Sequence, residues 1–150
     1  MWVYSPDGLM NASSYNYSIR RYPLSGTGTN IVWTGTGVTI GYMSMLVEGS
    51  DLIWAERGTP DVLMRKPIAA AASDLPTFMF YPEYQPIFLT RVVNTYYWMT
   101  GDYQAGEPSY VYSRSASAAS NVPGTRIVTV SQGTHGAVNA FAVTTNAIYW

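Results

Sequence analysis

The residues that could do chemistry are few and scattered in this sequence. His135 is the one histidine, and Gly133-Thr134-His135-Gly136 places no nucleophile or carboxylate beside it. Cysteine is absent, so a thiolate metal site is excluded. The sequence therefore predicts no catalytic residue, no metal and no cofactor.

The carboxylates give no stronger indication of catalysis. They fall in predicted turns and outer loops, where solvated acidic side chains are usual. No two of them have a spacing that fixes the geometry of a general acid and a general base. The residues concerned are Asp51, Glu56, Asp61, Asp102 and Glu107. We therefore do not expect an enzyme.

Aromatic side chains are the best candidates for ligand binding. Phe, Trp and Tyr make up 15% of the chain, which has 13 tyrosines and 5 tryptophans. Tyr15, Tyr17, Tyr84, Tyr103 and Tyr110 lie in or beside predicted loops, where an exposed ring can stack on a sugar or anchor a peptide. Of these, we select Tyr103 and Tyr110 as predicted ligand-binding residues.

Composition limits the classes of partner. Only 11% of the 150 residues are charged and the net charge is −1, with the eight cations scattered along the chain. No basic patch is therefore available for a nucleic-acid backbone. The sequence contains neither a run long enough to span a bilayer nor a signal-peptide pattern, so no membrane partner is expected.

The elements that must position these residues are short strands. Apolar residues occur in brief runs rich in Val, Ile, Tyr, Phe and Trp, separated by clusters of Gly, Pro, Ser, Thr and Asn. Such a pattern is typical of an all-β domain. The one helix-friendly segment, Ala69–Ala72, lies between Pro67 and Pro76, and we interpret it as a loop.

A hairpin motif recurs three times. Each copy is an apolar strand, a polar turn and a second strand that ends in tryptophan, with a period of roughly fifty residues. The copies are Val47–Trp54, Arg91–Trp98 and Val143–Trp150. We predict that Trp54, Trp98 and Trp150 share one core position. Residues 1–150 then form one domain of three four-stranded units, one of them split, with two outer strands at the N-terminus and two inner strands at the C-terminus.

Two kinds of arginine accompany the repeat. Arg21, Arg65 and Arg114 follow the hairpins at matching places, and this recurrence favours a structural role such as hydrogen bonding to backbone carbonyls. Arg91 instead replaces an apolar residue on an innermost strand. It is a candidate for holding an anionic ligand, together with Asn139 on another innermost strand.

These motifs resemble the blades of six-bladed β-propellers of the YWTD and NHL-like superfamily. The resemblance rests on Leu52-Ile53-Trp54 followed by Leu63-Met64-Arg65-Lys66-Pro67-Ile68. Ile148-Tyr149-Trp150 with Ile19-Arg20-Arg21-Tyr22-Pro23-Leu24 repeats it once the termini are joined. The copy Tyr96-Tyr97-Trp98 with Tyr112-Ser113-Arg114-Ser115 lacks the Pro-Leu ending.

Three blades are too few to close a propeller, which needs about four to eight. The resemblance therefore implies a homodimer of two three-blade chains that completes a six-bladed ring. A three-fold β-trefoil or β-prism monomer is the alternative architecture. The predicted function is a non-enzymatic scaffold or binding module of natural or engineered origin, whose partner is a second copy of itself.

Two other functions are left open. The first is a lectin-like module that binds a glycan or another small molecule. The second is a lactonase or other hydrolase, an activity that some six-bladed propellers have. Against it, the innermost strands offer Asn139 but no acidic residue to hold a metal.

Overall fold

The computed structural model describes residues 2–6, 16–24, 30–36, 44–56, 58, 60–84, 86–100, 108–131 and 140–150. All the regular elements in this part of the chain are β-strands, which confirms the predicted all-β class. In chain order they are β1 (Trp2–Pro6), β2 (Asn16–Arg21), β3 (Asn30–Thr36), β4 (Met45–Glu48), β5 (Asp51–Glu56), β6 (Val62–Pro67), β7 (Thr77–Phe80), β8 (Pro86–Val92), β9 (Thr95–Thr100), β10 (Ser109–Ser115), β11 (Thr125–Val130), β12 (Ala142–Val143) and β13 (Ile148–Tyr149). The described residues include no helix that is long and apolar enough to cross a membrane.

Two sheets are four-stranded antiparallel meanders that follow the chain. The first sheet has the order β4-β5-β6-β7, and the second has the order β8-β9-β10-β11. Their first hairpins turn through equivalent residues in the left-handed backbone region, Gly49 with φ 59° and Val93 with φ 53°. Glycine adopts this conformation freely, whereas it costs valine about 1–2 kcal/mol. The second hairpin therefore retains the turn of the first despite local strain.

One strand of each larger sheet carries the same bulge. The register of β2, β6 and β10 on the following strand shifts directly after Ile19, Leu63 and Val111. All three side chains have 0% exposure. Because a bulge bends its strand and turns the next side chains, this recurrence aligns the three copies residue by residue.

The N-terminal sheet, β1-β2-β3, contains the strand predicted over Trp2–Tyr4 in addition to the two outer strands of the split unit. The extra strand is β1, whose register on β2 sets Val3 opposite Arg20, just as Trp54 lies opposite Met64 in the first sheet. Thus β1 occupies the place that β5 has beside β6. The C-terminal hairpin, β12-β13, is a separate sheet. Among the described strands, β1 pairs with β2 alone and β13 with β12 alone.

Neighbouring sheets pack through a repeated aromatic contact. Trp33 of the N-terminal sheet lies 5.1 Å from Trp54 of the first sheet, measured between ring centroids. Phe80 of the first sheet lies 5.7 Å from Trp98 of the second sheet in the same way. Both of the covered indoles, Trp54 and Trp98, have 0% exposure. The order of sheets in the chain is therefore also their order in space.

Trp150 departs from the core position predicted for all three tryptophans. The C-terminal hairpin packs on the second sheet through Phe141, whose ring centroid lies 6.2 Å from that of Phe88, and through Ile148. Trp150 nevertheless remains 57% exposed. Among the described strands, β13 pairs with β12 alone, whereas β5 and β9 each have a third strand beside them. In addition, Val128 of β11 stands at the register position that the covering residues Trp33 and Phe80 occupy in the preceding sheets.

Candidate functional site

Two buried cations occupy equivalent positions in the four-stranded sheets. Lys66 and Arg114 are each the third residue after the bulge of β6 or β10, and they are 1% and 6% exposed. The sequence pattern aligned Arg65 with Arg114, but the register pairs Lys66 with Arg114 and leaves Arg65 equivalent to Arg21. The repeated buried cation is thus lysine in one sheet and arginine in the next.

The loops that follow these cations have the same backbone structure. Each contains two successive turns closed by hydrogen bonds between backbone N–H and carbonyl groups three residues apart. The bonds are Ala70 N to Pro67 O, Asp74 N to Ala71 O, Ala118 N to Ser115 O and Val122 N to Ala119 O. The alanine-rich segment is therefore a loop, as predicted.

Lys66 links its own loop to the preceding sheet. Its Nζ donates to the carbonyl oxygen of Ala71 at 2.6 Å and to that of Val32, in β3, at 3.0 Å. Burial lowers the pKa of Lys66, while the nearby carboxylate of Asp74 raises it. Lys66 consequently acts as a donor to fixed backbone oxygens at the contact between the N-terminal sheet and the first sheet.

Arg114 performs the same task with more hydrogen bonds. Its Nε donates to Val122 O at 2.9 Å, and its Nη2 donates to Ala118 O at 3.1 Å and to Ala119 O at 2.6 Å. Its guanidinium carbon lies 4.0 Å from the ring centroid of Phe80 in the first sheet. Burial lowers the pKa of Arg114, and Glu83 and Tyr96 raise it. The sequence predicted that Arg114 hydrogen-bonds backbone carbonyls between units, whereas its hydrogen bonds here go to carbonyls of its own loop.

A second charged cluster joins the hairpin ends of the two four-stranded sheets. Glu48, at the end of β4, accepts a 2.6 Å hydrogen bond from the Tyr96 hydroxyl and forms ion pairs with Arg65, at 3.2 Å, and with Arg91. Arg65 also pairs with Asp51 at 2.8 Å. The cluster thus combines two carboxylates with two guanidinium groups, and its formal charges balance.

Arg91, predicted to hold an anionic ligand, has its donors engaged within the chain. Besides its ion pair with Glu48, its Nε donates to Val93 O at 2.9 Å and its Nη2 to the side chain of Asn94 at 3.3 Å. An anion would therefore have to compete with Glu48. The geometry favours a role for Arg91 in joining two sheets.

We expect this cluster to couple the two sheets measurably. Replacing Glu48 by alanine should lower the free energy of unfolding by about 1–2 kcal/mol, since Tyr96, Arg65 and Arg91 all lose one partly buried acceptor. A double-mutant cycle with Arg91→Ala, followed by chemical denaturation, should give a coupling energy of about 0.5–1 kcal/mol that falls with added salt. Strict additivity of the two substitutions would show that the ion pair contributes nothing.

A ladder of aromatic rings leads from the core of the second sheet to its surface. Trp98 stacks on Tyr112 at 5.6 Å, Tyr112 meets Tyr110 edge-on at 6.5 Å, and Tyr110 stacks on Tyr84 at 6.1 Å. Burial raises the pKa of Tyr112, and Tyr84 and Glu83 raise it further. Arg126 lies over Tyr110, with its guanidinium carbon 5.1 Å from the ring centroid. The ring of Tyr110 is thus partly buried between other side chains rather than freely available to a ligand.

The remaining predicted residues divide into two groups. The carboxylates of Asp61 and Glu56 accept hydrogen bonds from Gly58 N and Trp54 Nε1, which are local turn and strand contacts. Arg21 is exposed. The predictions for Tyr15, Asp102, Tyr103, Glu107, His135 and Asn139 lie outside the described residues, as does the side chain of Tyr17. Within the described ranges, no group of three acidic or histidine side chains could hold a metal.

Lys66, Glu48 and Glu83 were not singled out by the sequence reasoning. A signal for Lys66 does exist: it is the single lysine and precedes a run of small residues, as Arg114 does. The hydrogen bonds of Glu48 with Tyr96 and of Glu83 with Gly124 join residues 48 and 41 positions apart, which no local pattern marks. No family model, curated protein or solved structure matches the chain.

Proposed function

We propose that this chain is a non-enzymatic assembly module whose sheets are propeller blades, and that two copies close one six-bladed ring. The support is the repeated packing unit. An aromatic residue from the last strand of one sheet covers the tryptophan of the next, and this happens twice in succession. A unit that repeats in this way continues until its end surfaces are covered.

Trp150 is the observation that carries the proposal. Trp150 follows Ile148 by two residues, as Trp54 follows Leu52 and Trp98 follows Tyr96. Ile148, Leu52 and Tyr96 pair with equivalent residues of the first hairpin strand, namely Val143, Val47 and Arg91. Trp54 and Trp98 are fully buried, whereas Trp150 is 57% exposed. Trp54 and Trp98 each have a third strand beside their hairpin, β6 or β10, which the C-terminal hairpin lacks among the described strands and which β2 of a second copy supplies in the proposed dimer.

The edge of β2 is taken by β1 within one chain, which specifies how the second copy binds. In the first sheet, β5 pairs with the edge of β6 that corresponds to the edge of β2 occupied by β1. Because β13 corresponds to β5, β13 of the second copy would pair with this same edge of β2. In the proposed dimer, β13 displaces β1 and pairs with β2. The exchange completes one blade of β12 and β13 from one chain with β2 and β3 from the other, and symmetry completes the second such blade.

Substitutions at the two competing strands test this arrangement. Trp150→Ala should weaken self-association about a hundredfold, as expected for a central aromatic anchor. Leu75→Ala, which alters a side chain that is 88% exposed, is the control and should leave association unchanged. Association is measured by sedimentation velocity over a dilution series.

For Val3→Pro we expect the opposite effect on self-association. Proline interrupts the pairing of β1 with β2 and so frees the edge that the partner's strand requires. Association should therefore become tighter in this variant. If Val3→Pro weakened association as Trp150→Ala is expected to, β1 would belong to the interface and the strand exchange would be wrong.

A further inference from the structure

The linker between the two four-stranded sheets presents two aromatic rings to solvent. Tyr81 and Tyr84 are 52% and 67% exposed, and each is supported by a ring from a strand. Tyr81 lies 4.7 Å from Phe78, and Tyr84 lies 6.1 Å from Tyr110, between ring centroids. The linker therefore holds two outward-facing rings three residues apart, at most about 11 Å along the chain.

The residues between these tyrosines fix the linker from the inside. Pro82 is buried, and the carboxylate of Glu83 accepts a 2.9 Å hydrogen bond from the N–H of Gly124, directly before β11. The second carboxylate oxygen, Oε2, is buried without a hydrogen-bond partner among the described residues. While Pro82 and Glu83 hold the linker against the protein, the side chains of Tyr81 and Tyr84 on either side of them face solvent.

Tyr84 is held outward at a conformational cost. Its φ is 58°, in the left-handed region that a bulky aromatic residue seldom adopts. Strain of this kind is kept where the surrounding structure enforces it, and it is concentrated at binding sites. A buried position would explain such strain through packing, but this ring is largely exposed.

The charges around the platform favour a neutral ligand. The nearest ionised groups are already used: Glu83 accepts from Gly124, Arg126 lies over Tyr110, and Arg114 donates to its own loop. Arg126, the exposed cation nearest to the platform, lies over Tyr110, and neither Tyr81 nor Tyr84 has a cation over its ring among the described residues. What remains is two flat apolar ring faces with phenolic hydroxyls that have no partner among the described residues.

We propose that Tyr81 and Tyr84 form a binding platform for a neutral oligosaccharide. The apolar face of a pyranose ring stacks on an aromatic face, and sugar hydroxyls exchange hydrogen bonds with the two phenols. Because the platform has two aromatic rings on one linker, it matches an extended glycan better than a single monosaccharide. This site lies on the linker between the first and second sheets and shares no residue with the proposed assembly surface at Trp150, β1 and β2.

Calorimetric titration with defined probes tests the platform. The neutral probes are the β-linked hexasaccharides of glucose (1,4 and 1,3) and of N-acetylglucosamine, and hexagalacturonate is the anionic probe. At least one neutral hexasaccharide should bind. Tyr84→Asn should weaken that binding about tenfold, since asparagine tolerates the left-handed backbone but removes the ring. Tyr81→Ala should have an effect of the same size, and Tyr84→Phe should retain most of the binding.

Leu75→Ala serves as the control and should bind as the unmodified chain does. The Trp150→Ala chain should also bind the sugar normally, so failure of the dimer and failure of the platform are distinguishable. The platform is refuted if none of the neutral probes binds, if hexagalacturonate binds more tightly, or if folded Tyr84→Asn and Tyr81→Ala chains bind unchanged.

Discussion

Replacing Arg114 by alanine is expected to lower the free energy of unfolding by about 3–4 kcal/mol, measured by chemical denaturation. The substitution removes the guanidinium donors from the carbonyl groups of Ala118, Ala119 and Val122, which together hold the loop against β10. It also removes the guanidinium that covers Phe80 of the neighbouring sheet. The loop and the contact between sheets are therefore lost together.

Two further substitutions separate this role from a general effect of charge. Arg114→Lys should cost only about 1–2 kcal/mol, because Lys66 supports the equivalent loop of the first sheet with one nitrogen. Arg21→Ala alters an exposed arginine and should change the free energy of unfolding by less than about 0.5 kcal/mol. A cost below about 1 kcal/mol for Arg114→Ala would show that the loop holds its shape without the cation.

Gly124→Ala is the second substitution with a large expected effect. A Cβ at this position would lie 2.3 Å from Cη2 and 2.6 Å from Cζ2 of Trp98, and 2.8 Å from Oε2 of Glu83. Trp98 is fully buried and cannot move aside without disturbing the contact with Phe80. We expect a loss of about 3 kcal/mol in the free energy of unfolding, at the upper end of the range for overpacked cores.

A second substitution identifies the cause of that loss. Trp98→Leu removes the indole atoms that the new Cβ would meet, so Gly124→Ala should cost at least about 1.5 kcal/mol less in that background. Gly49→Ala is the matched control, because Gly49 has a positive φ but nothing within 4 Å of a Cβ, and it should cost about 1 kcal/mol. Additive effects of Gly124→Ala and Trp98→Leu would contradict the steric account.

Local patterns were sufficient to predict the hairpins and two of the tryptophans. The sequences from Val47 to Trp54 and from Arg91 to Trp98 each contain a complete strand–turn–strand signal, and residues within a few positions determine it. The burial of Trp54 and Trp98 follows from the same alternation. These features needed no information about distant parts of the chain.

Features that depend on distant contacts could not be predicted. The hydrogen bond from Lys66 to Val32 joins residues 34 positions apart, and that from Tyr96 to Glu48 joins residues 48 apart. The exposure of Trp150 has the same origin. Its local sequence is that of a buried residue, but burial requires strands that its own sheet lacks.

The role of Arg91 shows the same limit for the candidate site. Its replacement of an apolar residue is visible in the sequence and suggested an anion site. Whether the cation is free depends on Glu48, in the neighbouring sheet, which lies beside it only after the two sheets pack. The chemical type of the residue was therefore predictable, whereas its availability was not.

The mass of the chain in solution tests the central claim most directly. Light scattering coupled to size-exclusion chromatography, at micromolar concentrations and above, should give twice the mass of the 16.5 kDa chain. Dilution should convert this dimer into the single chain. No stable assembly larger than the dimer should form, since two three-blade copies leave no end surface uncovered. A mass of 16.5 kDa at every concentration would contradict the ring of two copies.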